Sequence, residues 1–107
     1  MKRSATPAAI SFEVEGVLLS MGEKIRLYRR ALKLTQTDLA QRAGVGLSTI
    51  VAIEKGAPTV QVGFWLSALW GLDLLDHFEQ ISDLGRNEKF AVMFEAELAA
   101  RGKKVTP

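Results

Sequence analysis

The chain has 107 residues, 48% of them apolar and 24% charged, which is the composition of one ordinary globular domain and excludes a disordered chain. Cysteine is absent and His77 is the single histidine, which excludes a disulfide framework, a thiolate zinc site, a cysteine nucleophile and multi-histidine metal centres. The formal charge of +2 is unevenly spread: residues 1–57 carry a net +4, residues 58–100 a net −5, and residues 101–107 a net +3.

No apolar run approaches the roughly 18 residues that cross a bilayer, and no apolar signal core follows the basic start Met1-Lys2-Arg3. The expectation is a cytoplasmic, non-enzymatic protein with no cofactor and no membrane contact. A basic half beside an acidic half points to a polyanion on one side, with ordinary surface charge as the plainer reading.

Residues 1–9, small and polar with Pro7, read as a flexible arm. Residues 10–15 alternate apolar and polar, placing Ile10, Phe12 and Val14 on one face of a short strand, with an entry to the first helix as the alternative. From Ser20 the period changes. Met21, Ile25, Tyr28 and Leu32 form the stripe of a first helix whose other faces carry Lys24, Arg26, Arg29, Arg30 and Lys33. Thr35 is the expected N-cap of a second helix over residues 36–43, Asp38 suits its dipole, and Gly44 stops it. A third short helix spans 47–55, between Gly46 and Gly56, the latter placed as the residue just past its end.

After Ala57-Pro58, Thr59 is the expected cap of a fourth helix, with Val62, Trp65, Leu66 and Leu69 as its stripe and an end near Gly71. Residues 74–81 read as a fifth helix and Asp83-Leu84-Gly85 as a turn. Residues 87–100 form a last amphipathic helix, with Phe90, Met93, Phe94 and Leu98 on one side and Gly102 beyond its end. The fold class is all-α. Its expected organisation is an arm or strand over 1–19, a helical domain over 20–82, and a C-terminal helix with a basic tail over 83–107.

Residues 36–55 are the most informative stretch. Two short helices joined by a glycine turn cross sharply, so Ala40 is small and Gly44 takes a positive φ that is cheap without a Cβ. Leu39, Val45, Ile50 and Ile53 are the expected shared core. A small residue fifth, a glycine ninth, and β-branched residues fifteenth and eighteenth match the helix-turn-helix of DNA-binding regulators.

Gly22-Glu23-Lys24-Ile25-Arg26, Arg29, Leu34-Thr35-Gln36, Leu39-Ala40, Ala43-Gly44-Val45, Ser48-Thr49-Ile50, Ile53-Glu54-Lys55-Gly56 and Pro58-Thr59-Val60 extend the match. Together they resemble the Cro/C1-type (Xre-family) domain over residues 20–72. The resemblance implies a five-helix, lambda-repressor-like fold. Within that family, Lys55-Gly56-Ala57-Pro58-Thr59-Val60 and the stretch from Leu69 to Asp76 resemble the HipB-like branch. Its members are the DNA-binding partners of HipA-like serine/threonine kinase toxins.

The resemblance assigns DNA contact to Thr35, Gln36, Gly46, Leu47, Ser48, Thr49, Val51, Ala52 and Lys55. Gln36 would touch a phosphate or a base edge, and the start of the third helix would enter the major groove of double-stranded DNA. Backbone N–H groups at both helix N-termini, aided by Thr35, would hold phosphates. The plainer readings are an exposed first-turn residue for Gln36 and simple helix-start capping for Ser48 and Thr49. Arg29 and Glu54 fall where the family places a partly buried ion pair between first and third helices. The sequence departs from the pattern at Leu47, Val51 and Ala52, where polar base readers are usual.

Lys24, Arg26, Arg30 and Lys33 are either phosphate contacts or a solvated face. His77 reads as a surface or interface residue. Phe64, Trp65, Trp70 and Phe78 crowd into a short stretch; they either pack in the core or face a second subunit. The expected homodimer surface is Trp65, Trp70, Leu74 and Phe78, with the 10–15 strand or the 87–100 helix as extensions.

The function implied is a repressor that binds an inverted-repeat operator of its own operon. It also binds a HipA-like kinase toxin, or that toxin plus a small subunit. A stand-alone phage-type or metabolic regulator, and an interaction scaffold without DNA binding, are the alternatives.

Overall fold

The computed structural model describes residues 10–79 and 88–105, without the side chains of residues 78, 79, 88, 89 and 103–105. Within them the chain forms α1 (Phe12–Ala31), α2 (Gln36–Ala43), α3 (Leu47–Glu54), α4 (Val62–Gly71), α5 (Leu75–Glu79) and α6 (Glu88–Val105). Backbone packing divides it into two compact units, Met1–Leu75 and Asp76–Pro107. None of the six helices is long and apolar enough to cross a membrane. The all-α class holds.

The strand reading of residues 10–15 does not. Ser11 caps α1, its Oγ accepting from the Val14 N–H at 3.2 Å, so a helix starts at Phe12 inside the stretch expected to be an arm. Glu13 and Glu15 in the first turn and Arg29 and Arg30 in the last complement the helix dipole. A period of two over six residues is weaker than a capping serine followed by acids. The alternation that suggested one strand face is split by the helix, which turns Phe12 away from Val14 and leaves it 86% exposed.

α2 begins with a reciprocal capping box. The Asp38 N–H donates to Thr35 Oγ1 at 3.0 Å, and the Thr35 N–H donates to Asp38 Oδ2 at 2.8 Å. α3 starts from Gly46 without a side-chain cap. α4 starts two residues later than a Thr59 cap would place it: the first helical N–H groups, of Phe64 and Trp65, donate to the carbonyl of Gln61.

α6 runs through Gly102, which was expected beyond its end. α5 begins at Leu75 because Leu74 is committed to the end of α4, its N–H donating to the Leu69 carbonyl at 2.8 Å. The remainder of the expected fifth helix and the turn at 83–85 lie outside the described residues.

In the first unit α2 packs on α4 and α3, and α1 packs on α3. Leu39, Ile50, Ile53 and Leu72 are fully enclosed, and Ile25, Ala40, Ala43, Trp65, Ala68 and Leu69 complete the core. Val45, expected with them, is half-buried. Trp65 is only 6% exposed, on the face of α4 shared with Ala68, Leu69 and Leu72, so it is a core residue and not part of a partner surface. Trp70, five residues on, turns away from that face and is 60% exposed.

Two glycines set the depth of the α1–α3 crossing. A Cβ on Gly22 would lie 2.4 Å from the Ile53 carbonyl oxygen and 2.9 Å from that of Glu54. Gly56, at φ +74°, has the Leu19 Cα 2.7 Å from the place of its own missing Cβ. Backbone therefore meets backbone on both sides, and no side chain can swing aside to relieve a substitution.

Gly22→Ala is expected to lower unfolding stability by at least about 1–3 kcal/mol through overpacking. Gly16→Ala, on the same helix with nothing within 4 Å of its Cβ position, is expected to raise stability by about 0.5–1 kcal/mol. Urea denaturation of the two variants measures both signs.

Candidate nucleic-acid interface

Arg29 and Glu54 meet across the helix crossing. Arg29 Nε donates to Glu54 Oε2 at 2.6 Å and Nη2 donates to Oε1 at 3.1 Å, both side chains being buried. The remaining arm of the guanidinium, Nη1, donates to the Leu34 carbonyl at 2.7 Å. Gln36 Nε2 adds a donor to Glu54 Oε1 at 3.1 Å. Four chain segments are thus tied at one point: the end of α1, the turn after it, the first residue of α2 and the last residue of α3.

This arrangement sorts the residues singled out by the sequence into two groups. Gln36 is bonded to Glu54 at the C-terminal end of α3, with Thr35 just before it in the chain and Lys55 the residue after Glu54. Gly46, Leu47, Ser48 and Thr49 lie at its N-terminal end, about 12 Å away along the axis. In the first group Thr35 and Lys55 are exposed and Gln36 is half-buried; in the second, Gly46, Leu47 and Ser48 are exposed and Thr49 is half-buried. Val51 and Ala52 are half-buried. Only Leu47, Ser48 and, in part, Thr49 therefore project freely from the first turn of α3.

The N-terminal end of α3 opens into a groove of about 320 Å³ lined by Ser48, Thr49, Ala52, Thr59, Val60, Gln61 and Phe64. Thr59 reads as a cap and Phe64 as a core or interface aromatic in the sequence, whereas both line this groove. Val60 and Gln61 carry no distinct signal there.

The cations of α1 divide. Arg26 is drawn to Glu23 on its own helix at 3.8 Å, an exposed pair of little energetic consequence. Lys24, Arg30 and Lys33 are exposed. Arg42 lies over the end of α4, its Nη1 donating to the Gly71 carbonyl at 3.4 Å. A second groove, of about 300 Å³, is lined by Arg42, Trp70, Gly71 and Asp73. Of the expected partner surface, Trp70 is exposed and Leu74 half-buried, while the Phe78 side chain lies outside the described residues.

Asp38 is held below the ordinary carboxylate range. The Thr35 backbone N–H is the main cause and the Thr35 hydroxyl the next, with slight opposition from burial and a small contribution from Arg42. The charged form is the one that completes the capping box.

A helix-turn-helix domain model matches residues 20–77, over half of the chain, and the chain belongs to that family. It is 40% identical over 60 residues to an uncharacterized HTH-type transcriptional regulator of Methanocaldococcus jannaschii, covering 54% of this chain and 91% of that protein. It is 41% identical over 68 residues to another such regulator of Sinorhizobium fredii, covering 64% of this chain and 75% of that one. A third, from Methanothermobacter thermautotrophicus, shares 56% identity over 32 residues, which is 30% of this chain and 46% of that protein. No solved structure is significantly similar.

Removing one member of the buried pair strands the other. Glu54→Ala is expected to cost about 3–5 kcal/mol in unfolding stability, read by chemical denaturation. Because the folded state depresses the pKa of Asp38, its contribution is present above the unfolded value of about 3.9 and is lost as pH falls through the folded value. Thermal melts of wild type and Asp38→Asn are therefore expected to differ at neutral pH and to converge as pH falls through the lowered folded value of Asp38.

Proposed function

We propose that the chain is a sequence-specific DNA-binding repressor that acts as a homodimer on an inverted repeat in its own operon. The observation that carries this reading is the pair of polar groups at the two ends of α3, about 12 Å apart. The major groove of B-form DNA is about 12 Å wide. With α3 seated in it, the Thr35–Gln36 end and the groove end at Thr59 and Gln61 both reach phosphate walls, while Leu47 and Ser48 meet base edges. Lys55 contributes charge from the end of α3.

Leu47 is the most exposed apolar residue of α3 and suits a thymine methyl. With Val51 and Ala52 half-buried, hydrogen-bonded base readout falls to Ser48, Thr49 and Gln36. Affinity then comes mainly from phosphate contacts, and a share of specificity comes from the shape and deformability of the site.

Trp70, with Leu74, forms the dimer surface; its groove holds the cation of Arg42 and the anion of Asp73, so the patch is self-complementary under a two-fold axis. Such a dimer places its recognition helices about 34–36 Å apart on successive turns of the duplex. The likeness to HipB-type proteins supports a second partner, a HipA-like serine/threonine kinase toxin, alone or with a small subunit, that contacts the acidic residues of 58–100. Such a protein is cytoplasmic and sits on the nucleoid when bound to its operator.

A gel shift with the DNA upstream of its own gene tests the DNA reading. The double variant Gln36→Ala, Ser48→Ala is expected to lose operator affinity by roughly 10- to 100-fold while keeping salt-sensitive binding to unrelated duplex. Equal operator binding by wild type and variant overturns the assignment, and no binding of any duplex at 100 mM salt favours an interaction scaffold. Tandem affinity purification from the native cell, recovering no kinase-like chain, leaves a stand-alone regulator.

A further inference from the structure

α1 is 20 residues long, and the first unit uses one side of it. Gly22, Ile25 and Arg29 are buried there, at spacings of three and four. Beside that side runs a second row: Val14, Val17, Met21, Lys24 and Tyr28, at spacings of three, four, three and four. Alternating three and four is the spacing of a helix-pairing seam. Val14, Val17, Lys24 and Tyr28 are exposed and Met21 half-buried, with Val17 at 57%.

We propose that this row is the contact with a second copy of the chain, the two α1 helices lying antiparallel about a two-fold axis. Charge selects the occupant and the direction. Glu13 borders the row near its start, and Lys24 stands in the row toward its end. A parallel pair stacks lysine on lysine and brings glutamate beside glutamate. An antiparallel pair sets Val17 against the partner's Met21 and Val14 against the stem of the partner's Lys24, with Tyr28 level with the segment that leads into the partner's helix.

In that register Glu13 comes beside the ammonium of the partner's Lys24, and the two-fold axis repeats the contact. Each residue of the row from Val14 to Lys24 then has a counterpart in the same row, as an isologous interface requires. The lysine is accommodated because its four-carbon stem covers the valine while its charge reaches the glutamate. The contact is separate from the Trp70 surface and rests on the fold alone, not on the DNA reading.

The chain contains no cysteine, so introduced thiols report directly on neighbours. An equimolar mixture of Val17→Cys and Met21→Cys proteins, oxidised at low micromolar concentration, is expected to form the mixed disulfide. Val17→Cys alone, or mixed with Leu27→Cys from another side of α1, is expected to give only background. In sedimentation equilibrium, Val17→Lys is expected to weaken the α1-mediated step of association at least tenfold with helix content unchanged by circular dichroism, and Val17→Ala to weaken it less.

Trp70→Ser separates the two surfaces: it removes the association proposed above and leaves the 17–21 cross-link intact. The proposal is overturned if the mixed 17–21 disulfide does not exceed the Leu27→Cys control. It is equally overturned if Val17→Lys leaves the association of the full chain unchanged, as it would were the row covered within one chain.

Discussion

The first unit depends on one buried charge pair. Taking a guanidinium and a carboxylate out of water costs several kcal/mol per ion, and their attraction offsets that only when the remaining hydrogen-bonding capacity is used as well. Here it is used. Arg29 spends two arms on Glu54 and a third on the Leu34 carbonyl, and Glu54 takes a further N–H from Gln36. Among the described residues no buried side-chain nitrogen or oxygen is left without a partner. An apolar pair of similar volume would fill the space, but would not fix the direction of four chain segments at once. The α1–α3 crossing is close at the same level, where Gly22 and Gly56 let backbone approach backbone, so the pair forms where both helices are already constrained.

A second constraint is how the helices of this unit end. At the ends of α1, α2, α3 and α4 the same two bonds recur, one spanning five residues and one spanning three. Leu34 donates to the Arg29 carbonyl and Lys33 to that of Arg30; Val45 donates to Ala40 and Gly44 to Gln41; Ala57 to Ala52 and Gly56 to Ile53; Leu74 to Leu69 and Asp73 to Trp70. This is the Schellman closure, which satisfies orphan carbonyls and needs a left-handed residue. Gly44 and Gly56 supply it without strain, whereas Lys33 at φ 64° and Asp73 at φ 60° adopt it with a side chain present. The residue after each left-handed position is apolar, and that is what turns the chain back inward.

These endings explain what the sequence made legible. The 36–55 window was readable because its requirements are steric: a small Ala40, a turning Gly44, and enclosed Ile50 and Ile53 leave few other types possible. Gly44 and Gly56, after α2 and α3, are readable for the same reason. Gly71 marks the end of α4, though the left-handed residue there is Asp73; the end of α1 carries no glycine, and its start is hidden because alternation over six residues fits a strand as well as a helix. The capping serine at position 11 was the stronger signal, since a hydroxyl there satisfies a backbone donor that a strand would send to a neighbouring strand. Trp65 and Trp70 show the limit for aromatics. Composition counts them alike, and only their rotation around α4 puts one in the core and the other in solvent. The α3–α4 connection carries no signal of a groove, because no single residue type is required to line one.

The shortness of α3 then limits the surface that this domain can offer a ligand. Its eight residues must give Ile50 and Ile53 to the core and Glu54 to the ion pair, and Val51 and Ala52 are half-buried. What remains for a ligand is one exposed turn at Leu47 and Ser48, together with whatever adjoining segments hold in fixed positions. Those segments are Gln36, positioned by Glu54, and the groove residues Thr59 and Gln61. A helix that spends most of its surface on the fold gains recognition from rigid neighbours rather than from its own length. The buried pair therefore acts beyond stability: by fixing Gln36 against the end of α3, it sets the distance between the two polar ends that a duplex would have to match.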